Sequence, residues 1–483
     1  MNILHLIKKI IPKKLFKNLQ PAYHFIFAWL AAFIYRFPSK KLIVIGVTGT
    51  TGKTTTTHLT AKMLENAGFK VGYTSTALMK IRDKEWLNDK RMTMPGRFAT
   101  QKMLRSMLRN KCQYAIVETT SEGIEQFRHR FINYDILIFT GLYPEHIQSH
   151  GSFENYKKAK GKLFAHLEKC KSKYVDEKKQ VVQVKNEIKK IHSERIKKTT
   201  IANGDDEHAG YFLNFKAEQK YEYQVTSNPP MPSVGRAGKE QVINNQWQKI
   251  IAKNVISKDN GISFEVEKTK FNLQLMGEFQ AYNALGAICV GLTQDLDLES
   301  ISKAMESIKG IPGRFERIDE GQNFTVIVEF AHEPGALGKF YNIIKKMPHN
   351  RIIHVLGSAG GGRDVSRRPI LGKLAGENDD VVIIANEDPY DDDPQIIIDQ
   401  IAIGAEKAGK TEDSSARSGQ SLFKIQDRKG AIKKAISMAE EGDMVIITGK
   451  GCEQIMCLAG GKTIPSDDRE MAREALKQIT NDQ

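Results

Sequence analysis

The chain has 483 residues, too many for one ordinary hydrophobic core, so two or three domains are expected. Its 40% apolar and 27% charged content describes a soluble globular protein. A formal net charge of +15 would suit nucleic acid, but no aromatic-studded RNA-binding signature accompanies it, so a nucleic-acid partner is set aside.

Much of the positive excess sits in the first 41 residues and in the lysine-rich stretch 169–198. Such clusters serve an anionic membrane, a polyanionic substrate or a solvated helix face. Five cysteines (Cys112, Cys170, Cys289, Cys452 and Cys457) form an odd set without metal-ligand spacing, which suits a reducing cytoplasm. Residues 1–40 read as a basic, aromatic helical segment. Its apolar stretch Ala22–Tyr35 is shorter than the roughly 20 residues that span a bilayer, and no signal-cleavage site follows it. Lysines at 8, 9, 13, 14 and 17 precede it, and Phe25, Phe27, Trp29 and Phe33 lie within it. An interfacial membrane helix and a helix packed on the next domain both fit. The expected location is cytoplasmic, with peripheral membrane contact left open.

The apolar run Leu42–Ile45 then feeds GVTGTTGKTT at 46–55. A strand entering a glycine-rich loop and then a helix grips a nucleoside triphosphate, because backbone N–H groups close on phosphate oxygens. Gly49, Thr50, Thr51, Gly52 and Thr55 form that cradle. Lys53 can reach the β- and γ-phosphates, and Thr54 offers a hydroxyl to Mg2+. Val47 stands where the strict pattern has glycine. A helix is predicted over Thr55–Ala67, stopped by Gly68. ATP is the expected nucleotide.

Strand-like and helix-like segments alternate from Lys41, which predicts an α/β architecture with a largely parallel sheet. Tyr114–Val117 and Asp135–Phe139 read as buried strands whose carboxyl ends lie beside the phosphate loop, so Glu118 and His146 can face the triphosphate. Glu118 is a plausible Mg2+ ligand, whereas a lone histidine is more often structural. Residues 169–198 read as a long charged helix, a surface insertion, and 228–238 as a loop. A second α/β unit begins near Ile311–Gly313, with strands predicted at Thr325–Phe330, Ile352–Leu356, Asp380–Ala385 and Met444–Thr448. Its GSAGGGRD loop at 357–364 lacks GxGxxG spacing, so a nicotinamide site is rejected. The expected fold is a P-loop central ATPase domain with a mostly parallel sheet, residues 41–311, followed by a Rossmann-like domain, residues 312–483.

Further blocks recur in order: Glu118–Arg128, Thr140–Gly151, Ala159-Lys160 before Leu163-Phe164, GEFQAYN at 277–283, PGRFER at 312–317, EFAHEPGAL at 329–337, EDP at 387–389, DR at 427–428 and GKGCE at 449–453. Together with the phosphate loop they resemble the Mur ligase family, the ATP-dependent amide-bond ligases of peptidoglycan precursor synthesis. The likeness is nearest to the branch that adds the third stem-peptide amino acid. The resemblance implies that Lys53, Thr54 and Glu118 hold phosphate and a first Mg2+, with His146 at a second. Lys160 matches the family lysine that becomes carbamylated. Asn283 would contact adenine, Arg314 the nucleotide phosphates, and Glu329 and His332 the ribose and phosphates. Thr93, Ser121 and Arg128 would hold the muramyl-peptide substrate. Glu387, Asp388, Tyr390 and Glu453 would meet the incoming free amino acid. The implied chemistry is γ-phosphoryl transfer to a carboxylate, then attack of an amine on the acyl phosphate, with the second unit closing to exclude water.

Departures cluster on substrate recognition. Thr51 replaces the usual loop asparagine, Glu122 the usual histidine, and Glu145 the usual acid before the metal histidine. The family Asp-Asn-Pro-Arg, whose arginine selects diaminopimelate, is Glu387-Asp388-Pro389-Tyr390 here, followed by Asp391, Asp392 and Asp393. Tyrosine cannot pair bidentately with a second carboxylate, so a basic amino acid such as lysine is expected; a solvated acidic loop is the alternative. About 45 residues precede the phosphate loop, where relatives carry a uridine-binding domain of ordinary domain size. Uridine would then be recognised elsewhere, or the acceptor would differ, for example a lipid-linked muramyl peptide. Other readings are a ligase on a folylpolyglutamate- or cyanophycin-like carboxylate, and a P-loop ATPase regulatory module.

Overall fold

The computed structural model describes residues 13–88, 92–143, 150–182, 193–226, 247–258, 261–412 and 421–481, with the side chains of 13–18 and 480–481 left aside. The chain divides into two compact units, Met1–Lys309 and Gly310–Gln483. His146, Glu145 and the expected loop 228–238 lie outside the described residues.

In the first unit the strands are β1 (Ile43–Thr48), β2 (Val71–Thr74), β3 (Leu78–Ile81), β4 (Lys84–Leu87), β5 (Tyr114–Glu118), β6 (Ile136–Phe139), β7 (Lys173–Val175), β8 (Val181–Val182), β9 (Glu194–Ile196), β10 (Thr199–Asn203), β11 (Gln219–Val225), β12 (Gln248–Lys258), β13 (Gly261–Val266) and β14 (Thr269–Leu273). Eleven of them make one sheet in the order β14-β13-β12-β11-β10-β6-β1-β5-β2-β3-β4. The centre, β12 through β2, is parallel, and a hairpin closes each edge. The central strands are continuous apolar runs because helices cover both faces. β1 lies between β5 and β6, with Val47 beside Glu118 and Thr48 beside Phe139, so three carboxyl ends converge at one edge.

Six helices position the residues of interest in this unit: α1 (Lys13–Ile34), α2 (Lys53–Asn66), α3 (Arg97–Arg109), α4 (Ser121–Glu125), α5 (Phe153–Leu167) and α6 (Gln280–Thr293). α2 begins two residues before the predicted Thr55, since the left-handed Gly52 turns the chain and its carbonyl accepts the Thr56 N–H at 2.8 Å. It ends at Asn66, one residue before the predicted Ala67, and Gly68 follows at φ +91°. α1 packs Ala28, Ala31 and Ala32 inward, and its His24 and Phe25 meet Arg97 and Phe131.

Among the described residues of 169–198, the predicted helix is not formed. Its described residues make a three-stranded antiparallel sheet, β8-β7-β9. Tyr174, Val175, Val181, Val182 and Ile196 favour strand over helix. The lysine run is also not simply a solvated face. Lys173 and Lys198 are buried and both donate to the fully buried Asp135, Lys198 at 2.8 Å. Asp135 accepts the Val44 N–H at 2.8 Å as well, joining the starts of β1 and β6. Burial pushes Lys173 down to about 8, with Asp135 opposing that shift.

The second unit holds β15 (Glu316–Ile318), β16 (Thr325–Glu329), β17 (Ile352–Leu356), β18 (Val381–Ile384), β19 (Ser421–Lys424) and β20 (Met444–Thr448) in the order β15-β16-β20-β17-β18-β19. Every pairing is parallel except β15 with β16. Its helices are α7 (Pro334–Ile344), α8 (Arg367–Asn378), α9 (Pro394–Lys407), α10 (Arg428–Ser437) and α11 (Asp468–Asn481). Asp393 and Asp427 cap α9 and α10. The next residue, Arg428, is buried in a bidentate pair with Asp468, both bonds 2.7 Å. It also donates to the carbonyls of Asn386 and Thr448, so one guanidinium ties three loop ends of this sheet together.

Candidate nucleotide and substrate sites

The loop after β1 is held in place by its neighbours. Lys53 Nζ donates to the Thr50 carbonyl at 2.6 Å, curling back over the loop. Thr140, after β6, donates to the Thr51 carbonyl at 2.6 Å, and Thr50 N–H reaches the Gly141 carbonyl at 2.8 Å. Gly52 combines φ +79° with a close approach: a Cβ there would lie 2.5 Å from Asn283 Oδ1. Asn283, on α6, accepts from Thr56 at 3.5 Å and donates to Gln280 at 2.8 Å, so it is brought against the phosphate loop.

Thr54 Oγ1 donates to Glu118 Oε1 and Oε2 at 3.1 and 3.0 Å. Thr76, in the turn between β2 and β3, donates its N–H to Glu118 at 2.8 Å and its hydroxyl at 3.0 Å, and its hydroxyl also bonds that of Thr93 at 2.9 Å. A continuous chain of contacts thus runs from the first turn of α2 through Glu118 to the segment preceding α3. A carboxylate and a hydroxyl side by side suit a hard, oxygen-seeking cation, and these donors fit Mg2+. Among the described residues no group of three or more His, Cys, Asp or Glu is arranged to hold a metal. Lys160, 1% exposed on α5, donates to the Gly49 carbonyl at 2.8 Å and lies 4.6 Å above the Tyr156 ring. Sequence reasoning missed Thr76, which lies in a turn without a motif.

Ser121 begins α4 and touches His150 Nε2 at 3.0 Å, a histidine that sequence reasoning also passed over. Burial lowers the His150 pKa. Arg128 binds the Gln126 side chain and the Met94 carbonyl, while Arg97 binds the Gln126 carbonyl. The two guanidiniums thus share Gln126, and burial lowers both pKa values.

In the second unit Arg314 stacks 4.0 Å from the Phe330 ring centre, and its buried Nε has no hydrogen-bond partner among the described residues. Gly313 (φ +64°) lies flush against the other loop: a Cβ there would meet Cys452 N at 2.1 Å. Glu329 accepts the Phe315 N–H at 2.6 Å, and burial raises its pKa, with Arg314 opposing. His332 Nδ1 contacts the Phe330 carbonyl at 2.8 Å.

At the carboxyl edge of this sheet Lys450 is fully buried and donates to Asp388 at 3.3 Å and to Glu453 at 3.1 Å. Lys450 was not singled out from the sequence, although it sits inside GKGCE. Glu387 is 6% exposed, and its Oε2 has no partner among the described residues. Burial raises its pKa to about 7 against the pull of Arg367, Arg428 and Lys450. Tyr390 sits at φ +53°, its N–H on the Cys457 carbonyl at 3.1 Å. The exposed acidic run after it makes local contacts. Asp391 accepts the Gly460 N–H at 2.8 Å, Asp392 lies 3.5 Å from Arg368, and Asp393 caps α9.

A phosphate loop opening a helix at the edge of a parallel sheet, with a buried carboxylate beside its threonine, defines an ATP-using α/β enzyme. Residues 47–291 match the Mur ligase middle domain and residues 313–451 the Mur ligase glutamate ligase domain. The chain is 34% identical to UDP-N-acetylmuramyl-tripeptide synthetase of Roseiflexus sp. (strain RS-1), over 93% of this chain and 81% of that one. It is 31% identical to UDP-N-acetylmuramoyl-L-alanyl-D-glutamate--2,6-diaminopimelate ligase of Geobacillus kaustophilus (strain HTA426), over 93% and 82%. A solved structure of UDP-N-acetylmuramoyl-L-alanyl-D-glutamate--2,6-diaminopimelate ligase shares the fold with a TM-score of 0.56 at 24% identity, covering 91% of this chain and 79% of that one. Mycobacterium tuberculosis folylpolyglutamate synthase shares it with a TM-score of 0.62 at 13% identity, covering 94% of each. The chain belongs to the Mur ligase family, ATP- and Mg2+-dependent, ADP-forming ligases of peptidoglycan precursor synthesis.

Proposed function

We propose that this ligase activates a muramyl-peptide carboxylate as its acyl phosphate and joins it to a basic amino acid, lysine being the leading choice. The observation that carries the reading is the contact chain Thr54–Glu118–Thr76–Thr93, which couples the phosphate-loop helix to the segment matching the family's acceptor-binding threonine. Lys53 and the loop N–H groups would meet charge on the transferring phosphoryl group, and Asn283 would face the adenine. Thr54 and Glu118 would hold one Mg2+; His146 and Lys160, the latter carbamylated, would serve a second. Bound Mg2+ would neutralise charge on the oxygens of the transferring group. Carbamylation would turn the Lys160 ammonium into a carboxylate-like group that offers oxygen to that ion. Ser121 and Arg128 would orient the acceptor. In the second unit Arg314, with its unpartnered Nε, suits an anionic phosphate, and Glu329 and His332 would border the same ligand.

For the amino acid, Tyr390 offers no guanidinium for a second carboxylate. Glu387 has an unmatched buried oxygen, and a cationic amine beside it would stabilise the charged carboxylate. Asp388 and Glu453, both bonded to Lys450, would complete the ammonium-binding edge. Phosphate release measured with a muramoyl-dipeptide acceptor and a panel of free amino acids tests this: lysine should stimulate turnover, and stimulation by diaminopimelate alone refutes it.

A further inference from the structure

We propose that the face formed by α1 and α3 docks the enzyme on an anionic lipid bilayer surface. Among the described residues seventeen large apolar side chains are exposed, and eight of them belong to α1. Leu19, Ile26 and Phe33 recur at intervals of seven, with Trp29 and Ile34 beside them, so they line one side of the helix. The opposite side is the buried Ala28, Ala31 and Ala32. The helix is therefore fixed to the domain by small residues and turns its large ones to solvent, the reverse of a helix completed by its own domain. Trp29 and Phe33 stack with centres 5.2 Å apart, and Phe27 meets the exposed Phe98 of α3 at 6.5 Å, which extends the patch onto a second helix.

Charge selects the occupant. No aspartate or glutamate occurs before Glu65, while the first 41 residues carry seven lysines and one arginine. α3 adds Arg97, Lys102, Arg105 and Arg109, again without a carboxylate. Two copies of such a face would set like charges together, which opposes self-association. Anionic headgroups around an apolar layer match both features at once. No described helix is long and apolar enough to cross a membrane, so the contact is interfacial. The docked helix also reaches the acceptor side of the first unit, since His24 touches Arg97, which shares Gln126 with Arg128.

The test is co-sedimentation of the full chain with phosphatidylcholine vesicles, with and without phosphatidylglycerol. The intact protein should bind only the anionic vesicles, with a blue shift of Trp29 emission and release by salt. The combined substitution Ile26→Ser, Trp29→Ser and Phe33→Ser should lower binding at least tenfold, with ADP formation and thermal melting unchanged. Lys102→Glu with Arg109→Glu, which leaves α1 intact, should likewise weaken anionic binding. Absence of vesicle binding, equal binding to neutral vesicles, or a lipid-free dimer dissolved by the triple substitution would each overturn the proposal. Loss of ADP formation in the parent protein would instead count against the ligase reading.

Discussion

The Thr54 hydroxyl bonds both oxygens of Glu118, at 3.1 and 3.0 Å, tying the phosphate-loop helix to the end of the neighbouring strand. Glu118→Gln keeps the shape but replaces one acceptor oxygen by a donor and removes the charge. Phosphate release should fall at least about 100-fold, and the Mg2+ concentration for half-maximal rate should rise. An unchanged Mg2+ titration would remove Glu118 from the metal site.

Lys160 gives a chemically specific prediction. Depleting dissolved carbon dioxide and bicarbonate should slow turnover, and restoring them should recover it, because a carbamate forms only on the neutral amine. Lys160→Arg preserves charge but not that chemistry, and should be inactive while remaining folded by circular dichroism. Full activity of Lys160→Arg would exclude the modification.

Glu387 predicts a pH dependence of stability. Burial raises its carboxyl from 4.5 to about 7, so the unfolded chain loses the proton first as pH rises. Its contribution is most favourable below pH 4.5, declines up to about pH 7, and is flat above. The difference is about 3 kcal/mol for a fully buried group. Glu387→Gln should abolish that decline, so urea unfolding at pH 5 and pH 8 should show the variant gaining relative to the parent at the higher pH. Parallel curves would contradict it.

Asp135 carries two buried ammonium groups, from Lys173 and Lys198. Asp135→Asn should destabilise the first unit by about 3–5 kcal/mol, because it leaves both charges uncompensated. The urea midpoint checks this.

The central strands and the phosphate loop were legible because continuous apolar runs and glycine spacing are local signals. The observed strands at Ile352–Leu356 and Met444–Thr448 have the predicted bounds. What escaped depends on contacts far apart in sequence. Thr76 has no motif, yet the sheet order brings it to Glu118, 42 residues away. The segment 169–198 misled because lysine content signals solvent, whereas Lys173 and Lys198 reach back to Asp135. The local partners of the acidic run after Tyr390 escaped as well, since Asp391 accepts an N–H from Gly460, 69 residues away, and Asp393 caps α9.

The most direct test of the acyl-phosphate reading traces oxygen atoms. The acceptor carboxylate is labelled with heavy oxygen, and the inorganic phosphate released during turnover with the amino acid is analysed by mass spectrometry. Activation through the acyl phosphate predicts one labelled oxygen in each phosphate released. Phosphate free of label under productive turnover would contradict it.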